Sequence, residues 1–274
     1  MRVEELLEFG KEQIDSNLAK ILLSELLGIN ILELQINKKK TIPDDIANDY
    51  KTKISTIKSG KPIQYVIGNV NFYGNRFEIN ENVLIPRFET EELVDNTINY
   101  IKKHFTEPVD IIDLGCGSGV IGLTLEKKVS TKSVDLVDIS ENTLEVTHKN
   151  CEKHLSKANI IHSDMFKNIS KKYDVIISNP PYIKTTEEIE DIVKNNEPHL
   201  ALYAGSDGLD CYRKILENAK HHMKERCIIA FEIGYTQAED IKKIAIENLE
   251  NIRIEVKKDL SEKDRMLFIF KNIE

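Results

Sequence analysis

Residues 109–125 read VDIIDLGCGSGVIGLTL, and the fold turns on how that stretch is read. "VDIIDL" (109–114) is an apolar run of strand length. Gly115, Gly117 and Gly119 follow at every second position, and then comes an apolar segment of helical character. Glycine lets a backbone turn sharply and approach a ligand closely. The first turn of the helix that follows aims free N–H groups at whatever the loop holds. Strand, glycine loop and helix together mark a nucleotide-like cofactor site. Gly117, Gly119 and Gly122 also satisfy G-x-G-x-x-G, the dinucleotide fingerprint. The loop alone therefore does not choose among adenosine-bearing cofactors.

Downstream, short apolar runs alternate with stretches of helical length. "SVDLVD" (133–138), "ANIIHS" (158–163), "YDVIIS" (173–178) and "CIIAFEI" (227–233) are strand candidates. That alternation predicts a parallel sheet covered by helices on both faces. "IRIEVKKDLSEKDRMLFIF" (252–270) supplies two more strands across a short polar turn, an antiparallel final pair.

Upstream the pattern is different. "NLAKILLSELLG" (17–28) and "PDDIANDYKTKISTIKSG" (43–60) have helical periodicity, with Gly28 and Gly60 placed to end helices and Pro43 in a first turn. "QYVIGNVNFYGNRFEIN" (64–80) places aromatic and β-branched residues around Gly74-Asn75 and reads as a hairpin. The organisation expected is a helical domain at 1–60, a β-hairpin linker at 61–89 and an α/β domain at 90–274.

Composition narrows the class. No apolar run approaches membrane-spanning length, and the acidic, amphipathic start "MRVEELLEFGKEQI" has no signal-peptide pattern. A cytoplasmic location is the expectation. The four cysteines form no C-x-x-C pair and the seven histidines are scattered, so no metal is expected. Net charge is −8; residues 1–80 carry eleven basic and eleven acidic side chains, so the whole excess lies in 81–274. That balance argues against a nucleic-acid substrate, which calls for a basic face, and for a protein one.

Two carboxylates add to the glycine loop. Asp138 ends the second strand of the α/β region, where it can accept hydrogen bonds from both ribose hydroxyls; capping the next helix is an equal alternative. Asp164, in "HSDMF", can reach an adenine amino group or serve as a turn residue.

The most informative stretch is "SNPPY" (178–182), directly after the fourth strand. Proline has no N–H, so the strand stops there. The loop offers acceptors and few donors: the Asn179 side-chain carbonyl and the Pro180 backbone carbonyl, which the donorless Pro181 leaves uncrowded. Tyr182 adds a flat wall. A planar NH2 group, whose lone pair is delocalised, needs such a holder if it is to act as a nucleophile. Positioning of this kind contributes roughly 7–11 kcal/mol in favourable cases. Aligned carbonyl dipoles add stabilisation as positive charge develops on nitrogen.

At this point the chain resembles the HemK/PrmC family, the protein-(glutamine) methyltransferases of peptide chain release factors. The resemblance covers nearly the whole chain. It includes "GKPIQYVIGNVNFYGNRFEINENVLIPRFETEELV" (60–94), "DLGCGSG", "SNPPYI", "NEPHLALYAGSDGLDCYR" and "FEIG". It implies a class I S-adenosylmethionine-dependent methyltransferase domain, Rossmann-like, mostly parallel with an antiparallel final strand pair, behind a helical domain that helps dock the release factor. It implies binding of S-adenosyl-L-methionine, and of its product S-adenosyl-L-homocysteine, through Asp113, Gly115, Cys116, Gly117, Ser118, Gly119, Asp138, Asp164, Met165 and Asn179. Asn179, Pro180, Pro181 and Tyr182 would hold the glutamine of the release factor's Gly-Gly-Gln motif. "PRFETE" (86–91) would sit near the methionine end of the cofactor; helix initiation, with Thr90 as N-cap and Glu91 and Glu92 at the positive helix end, is an equal alternative. A monomer without membrane or direct nucleic-acid partners is expected. Glutamine methylation of a ribosomal large-subunit protein, adenine-amino methylation of nucleic acid and a nicotinamide-binding module are the alternatives.

Overall fold

The computed structural model describes residues 1–273. The chain forms two compact units, one of residues 1–69 with 190–196, the other of residues 70–189 with 197–274. No helix among the described residues is long and apolar enough to cross a membrane.

The first unit is helical: α1 (Val3–Lys11), α2 (Ser16–Leu27), α3 (Ile31–Ile36), α4 (Asp44–Lys58) and α5 (Ile63–Ile67). Asp15 caps α2 through the N–H groups of Asn17 and Leu18, and Gly28 ends it in the left-handed conformation. Leu6, Leu22, Leu23, Leu34, Tyr50 and Ile54 are buried in its core.

A two-stranded hairpin follows, β1 (Asn69–Phe72) and β2 (Asn75–Glu78). Its turn is Tyr73-Gly74, both with positive φ (49° and 74°), and Asn75 already belongs to β2. The turn thus lies one residue earlier than the sequence predicts, and "QYVI" is helix α5 rather than strand. Gly68, left-handed at φ 83°, ends that helix and leaves only four residues for β1.

The larger unit continues with α6 (Phe88–His104), β3 (Val109–Leu114), α7 (Val120–Lys128), β4 (Thr131–Asp138), α8 (Glu141–Lys153), β5 (Asn159–His162) and β6 (Tyr173–Ser178). The short α9 (Asp191–Asn196) belongs to the first unit by its contacts. Then come α10 (Asp210–His222), β7 (Met223–Glu232), α11 (Ala238–Asn248), β8 (Ile252–Lys258) and β9 (Asp264–Lys271). The sheet order is β5-β4-β3-β6-β7-β9-β8. The first five strands in that order run parallel; β8 and β9 pair antiparallel, as expected, and β9 enters between β7 and β8.

Alternate residues feed opposite faces, as strand geometry dictates. Ile111, Val175, Ile228 and Phe268 pack with Leu93 and Ile98 of α6 and Leu123 of α7 on one side. Ile112, Ile176, Ile229 and Leu267 pack with Tyr212 and Ile215 of α10 and Ile241 of α11 on the other. A sheet buried on both faces needs near-continuous apolar strands, which is why these runs stand out in sequence. Strand β7 starts four residues before the apolar run that announces it. After Met223 come Lys224, Glu225 and Arg226, polar residues that hide the strand's start, and Lys224 is satisfied there by Asp110 and Asp174, both at 2.6 Å.

One topological fact positions the site. Strand β3 is flanked by β4 on one side and β6 on the other, so the connections leave it in opposite directions. A crevice opens at such a switch point, outside the carboxyl ends of the strands.

Candidate active site

A cavity of about 400 Å³ lies at the C-terminal ends of β3, β4 and β6, within the size range of small-ligand pockets. Gly115, Cys116, Gly117, Ser118, Asp138, Asp164, Met165, Asn179 and Pro181 line it. Asp113, Gly119, Pro180 and Tyr182 do not.

The glycine loop is built from backbone. Gly115, Gly117 and Gly119 have φ of 69°, 57° and 80°, which side chains disfavour, and at Gly115 and Gly117 no atom stands where a Cβ would point. The N–H groups of Gly115 and Cys116 both donate to the Val137 carbonyl at the end of β4, at 2.8 and 2.9 Å. From α8, the Thr147 hydroxyl donates to the Gly117 carbonyl (2.7 Å) and the Asn150 amide to the Ser118 carbonyl (2.9 Å). Gly122 has another role: a Cβ there would stand 2.3 Å from Leu136 Cδ2, so glycine lets α7 lie against the sheet.

Asp138 accepts from the Gly117 N–H at 3.1 Å and from the Ser140 N–H at 3.0 Å. A carboxylate has about four acceptor positions, so capacity for ribose hydroxyls remains. Burial pushes its pKa up, and donors from a ligand would oppose that. The helix-cap reading falls to Ser140, whose hydroxyl accepts from the Thr143 N–H. Asp164 pairs with Lys214 at 3.0 Å. Met165 sits at a positive φ of 48°, a strained conformation for a side-chain-bearing residue, beside the cavity. Asp113 is fully buried. Its Oδ2 accepts from the Gly122 N–H (2.9 Å), its Oδ1 has no partner, and burial pushes it up to about 7. It holds the start of α7 instead of facing the cavity.

The loop after β6 is anchored from behind. Ser178 donates to the Leu114 carbonyl at the end of β3 (2.6 Å). The Gln237 amide donates to the Tyr182 carbonyl (3.0 Å) and the Gly208 carbonyl (3.2 Å), while its own oxygen accepts from the Gly234 N–H (3.0 Å). Gly208 is required for this contact, since a Cβ there would lie 2.4 Å from the Tyr182 carbonyl oxygen. Burial raises the Tyr182 phenol to about 12, so it stays neutral.

The segment before α6 corrects one expectation. Thr90 is not the N-cap. Helix α6 starts at Phe88, with Arg87 in the capping position and held to buried Glu197 at 2.5 Å. Glu197 also accepts from the Ile85 N–H (3.2 Å). Thr90, three residues into the helix from Arg87, turns inward. Its hydroxyl donates to Glu232 Oε2 (2.6 Å) and accepts from Asn179 Nδ2 (3.2 Å). Pro86 and Thr90 line the cavity beside Asn179.

Sequence reading missed part of the lining. Asn82, Val83 and Leu84 precede α6, and Leu200, Tyr203 and Gly205 follow α9. Both stretches fall inside runs that carry the family resemblance, but neither has a chemical signature of its own. Glu232 and Gln237 were equally silent as functional residues.

The reversal at β3, the glycine loop, the carboxylate at the end of β4 and the antiparallel final pair define a class I S-adenosylmethionine-dependent methyltransferase. Residues 89–201 match the methyltransferase small domain and residues 2–68 the PrmC N-terminal domain. A methyltransferase from Pyrococcus furiosus shares the fold at a TM-score of 0.54 and 17% identity, over 82% of this chain and 98% of that one. A 16S rRNA N2 G1207 methyltransferase from Thermus thermophilus, solved with S-adenosylmethionine and guanosine, aligns at a TM-score of 0.54 and 16% identity over 74% of this chain and 50% of its own. At full length the likeness is far greater. The release factor glutamine methyltransferase of Bacillus cereus is 36% identical over 98% of this chain and 99% of its own length. The chain belongs to the family of release factor glutamine methyltransferases.

Proposed function

We propose that the chain methylates the side-chain amide nitrogen of the glutamine in the Gly-Gly-Gln motif of peptide chain release factors, in the cytoplasm. Full-length similarity to release factor glutamine methyltransferases supports the substrate. The observation that carries the chemistry is Asn179 at the cavity wall, on a proline loop whose backbone is fixed by Ser178 and Gln237.

S-adenosylmethionine, when bound, supplies a methyl group made electrophilic by a sulfonium. Gly115 to Ser118, Asp138 and the turn at Asp164-Met165 would hold it, with Asp138 placed to accept from the ribose hydroxyls. Asp113 contributes by fixing the start of α7. The Asn179 carbonyl, at the cavity wall, accepts an N–H of the glutamine amide; the Pro180 backbone carbonyl as second acceptor and Tyr182 as flat wall are assigned from the loop motif, since neither residue is part of the cavity lining. These acceptors orient the nitrogen and strengthen as its charge grows. No metal takes part in this scheme.

Tandem mass spectrometry of a purified release factor, after incubation with the chain and S-adenosylmethionine, tests the proposal. One added methyl on the glutamine of Gly-Gly-Gln is the expected result. A chain that binds S-adenosylhomocysteine yet leaves that glutamine unmodified would redirect the search to ribosomal proteins first and to nucleic-acid adenine second.

A further inference from the structure

We propose that Thr90 and Glu232 are positioning residues that lock the amide of Asn179 with its carbonyl oxygen toward the acceptor. The proposal rests on the acceptor-loop reading above and extends it to residues that do not touch the reacting atoms.

The hydrogens dictate the orientation. A threonine hydroxyl carries one hydrogen. That of Thr90 goes to Glu232 Oε2 at 2.6 Å, as expected of a charge-assisted bond to a carboxylate. The Thr90 oxygen can then only accept, and Asn179 Nδ2 is its donor at 3.2 Å. With the NH2 group committed inward, Oδ1 is left for the cavity that Asn179 lines. An acceptor loop whose asparagine could rotate freely would present a donor part of the time, which repels the N–H groups it must hold.

A protonated Glu232 reverses the order. Its O–H donates to the Thr90 oxygen, the Thr90 hydrogen turns to Asn179 Oδ1, and the amide swings its NH2 into the cavity. The groups facing Glu232 are Glu89 and Thr90 from α6, Asn179 and Tyr182 from the loop after β6, and Arg265 from β9; Tyr212 of α10 holds its backbone carbonyl. Burial outweighs the attraction of Arg265 and pushes the Glu232 carboxyl up to about 7. The orienting state is therefore the carboxylate above that pH, and it is lost as pH falls through it.

Thr90→Val keeps the shape and removes the hydroxyl; Thr90→Ser restores it. In the full chain, Thr90→Val is expected to lower kcat at least about tenfold, with S-adenosylhomocysteine affinity and the release-factor KM within about threefold of wild type. Thr90→Ser should recover most of the loss. Wild-type kcat should decline on the acid side with a midpoint near the Glu232 value, about 7, and Thr90→Val should lack that limb. Independently of turnover, the side-chain amide resonances of Asn179 in ¹⁵N spectra should shift with the same midpoint in wild type and Thr90→Ser, and stay fixed in Thr90→Val. A Thr90→Val protein with wild-type kcat, or an Asn179 amide that titrates alike in all three proteins, would overturn the proposal. A wild type that methylates no release factor would instead defeat the functional reading, and the resonance titration would still decide the positioning.

Discussion

The two loops that meet at the cavity are built on opposite plans. The glycine loop between β3 and α7 is held by near neighbours: Val137 at the end of β4, then Thr147 and Asn150 on α8, all within about one βαβα stretch. The loop after β6 is held by groups from across the chain. Thr90 lies 89 residues from Asn179, Gln237 lies 55 residues from Tyr182, and Glu232 lies 142 residues from Thr90. The first loop shapes backbone around a cofactor and needs little beyond glycine and local hydrogen bonds. On the function proposed, the second must aim one side chain and keep two carbonyls free, and that takes buried polar groups converging from three elements. Such networks are costly when partly satisfied. The acceptor side should thus be the more brittle of the two.

Perturbing each loop separately tests that division. Removing the acceptor itself should have the largest effect: Asn179→Ala is expected to cut turnover on the order of a thousandfold, with S-adenosylhomocysteine affinity by calorimetry nearly unchanged. Persistence of activity within a few-fold would mean the loop is not the acceptor holder. Gln237→Leu leaves the cavity lining intact but frees the Tyr182 carbonyl and strands the Gly234 N–H. A loss of about ten- to a hundredfold in kcat/KM, with cofactor affinity again preserved, is the expected outcome. On the other side, Asn150→Ala releases the Ser118 carbonyl and the β2 backbone at Glu78. It should weaken S-adenosylhomocysteine binding about tenfold and lower stability by about 1–3 kcal/mol, while kcat at saturating cofactor changes little. Equal effects of Gln237→Leu and Asn150→Ala on cofactor affinity would erase the distinction.

The smallest effect concerns Asp113, and it is one of stability. Its carboxyl rises from 3.8 to about 7 because burial disfavours the charge. The folded state thus prefers the protonated form: the contribution is complete below the unfolded value and is lost as pH rises through about 7. Wild-type urea midpoints should fall between about pH 4.5 and 7 more steeply than those of Asp113→Asn and run parallel to them above about pH 7.5, and parallel slopes throughout would show that this carboxyl does not titrate in that window.

How much could be read beforehand follows the same division. The sheet and the glycine loop were legible because both are local: apolar runs buried on two faces, and glycines at left-handed φ. The acceptor loop was legible as a motif, since NPPY concentrates its chemistry in four residues. Its supports were not. Thr90 ranks as a good cap on sequence alone, and only the start of α6 at Phe88 shows it to be a buried relay to Glu232. Glu232 ends an apolar strand and gives no periodic signal of a partner 142 positions away. The hairpin turn was misplaced by one residue because Tyr73 takes a positive φ that its side chain disfavours, and the Glu91 carboxylate holds its N–H at 3.0 Å.

Strand β9 comes last in chain order among the strands, yet it pairs between β7 and β8. During synthesis, everything that shapes the glycine loop has already been made when β9 is still to come. Arg265, the cation facing Glu232, arrives only with that strand. The other groups that hold the acceptor loop, Thr90, Glu232 and Gln237, precede it as well, and β9 must insert into a gap that β7 and β8 leave open. The pairing that closes the sheet is thus the last one the chain can make.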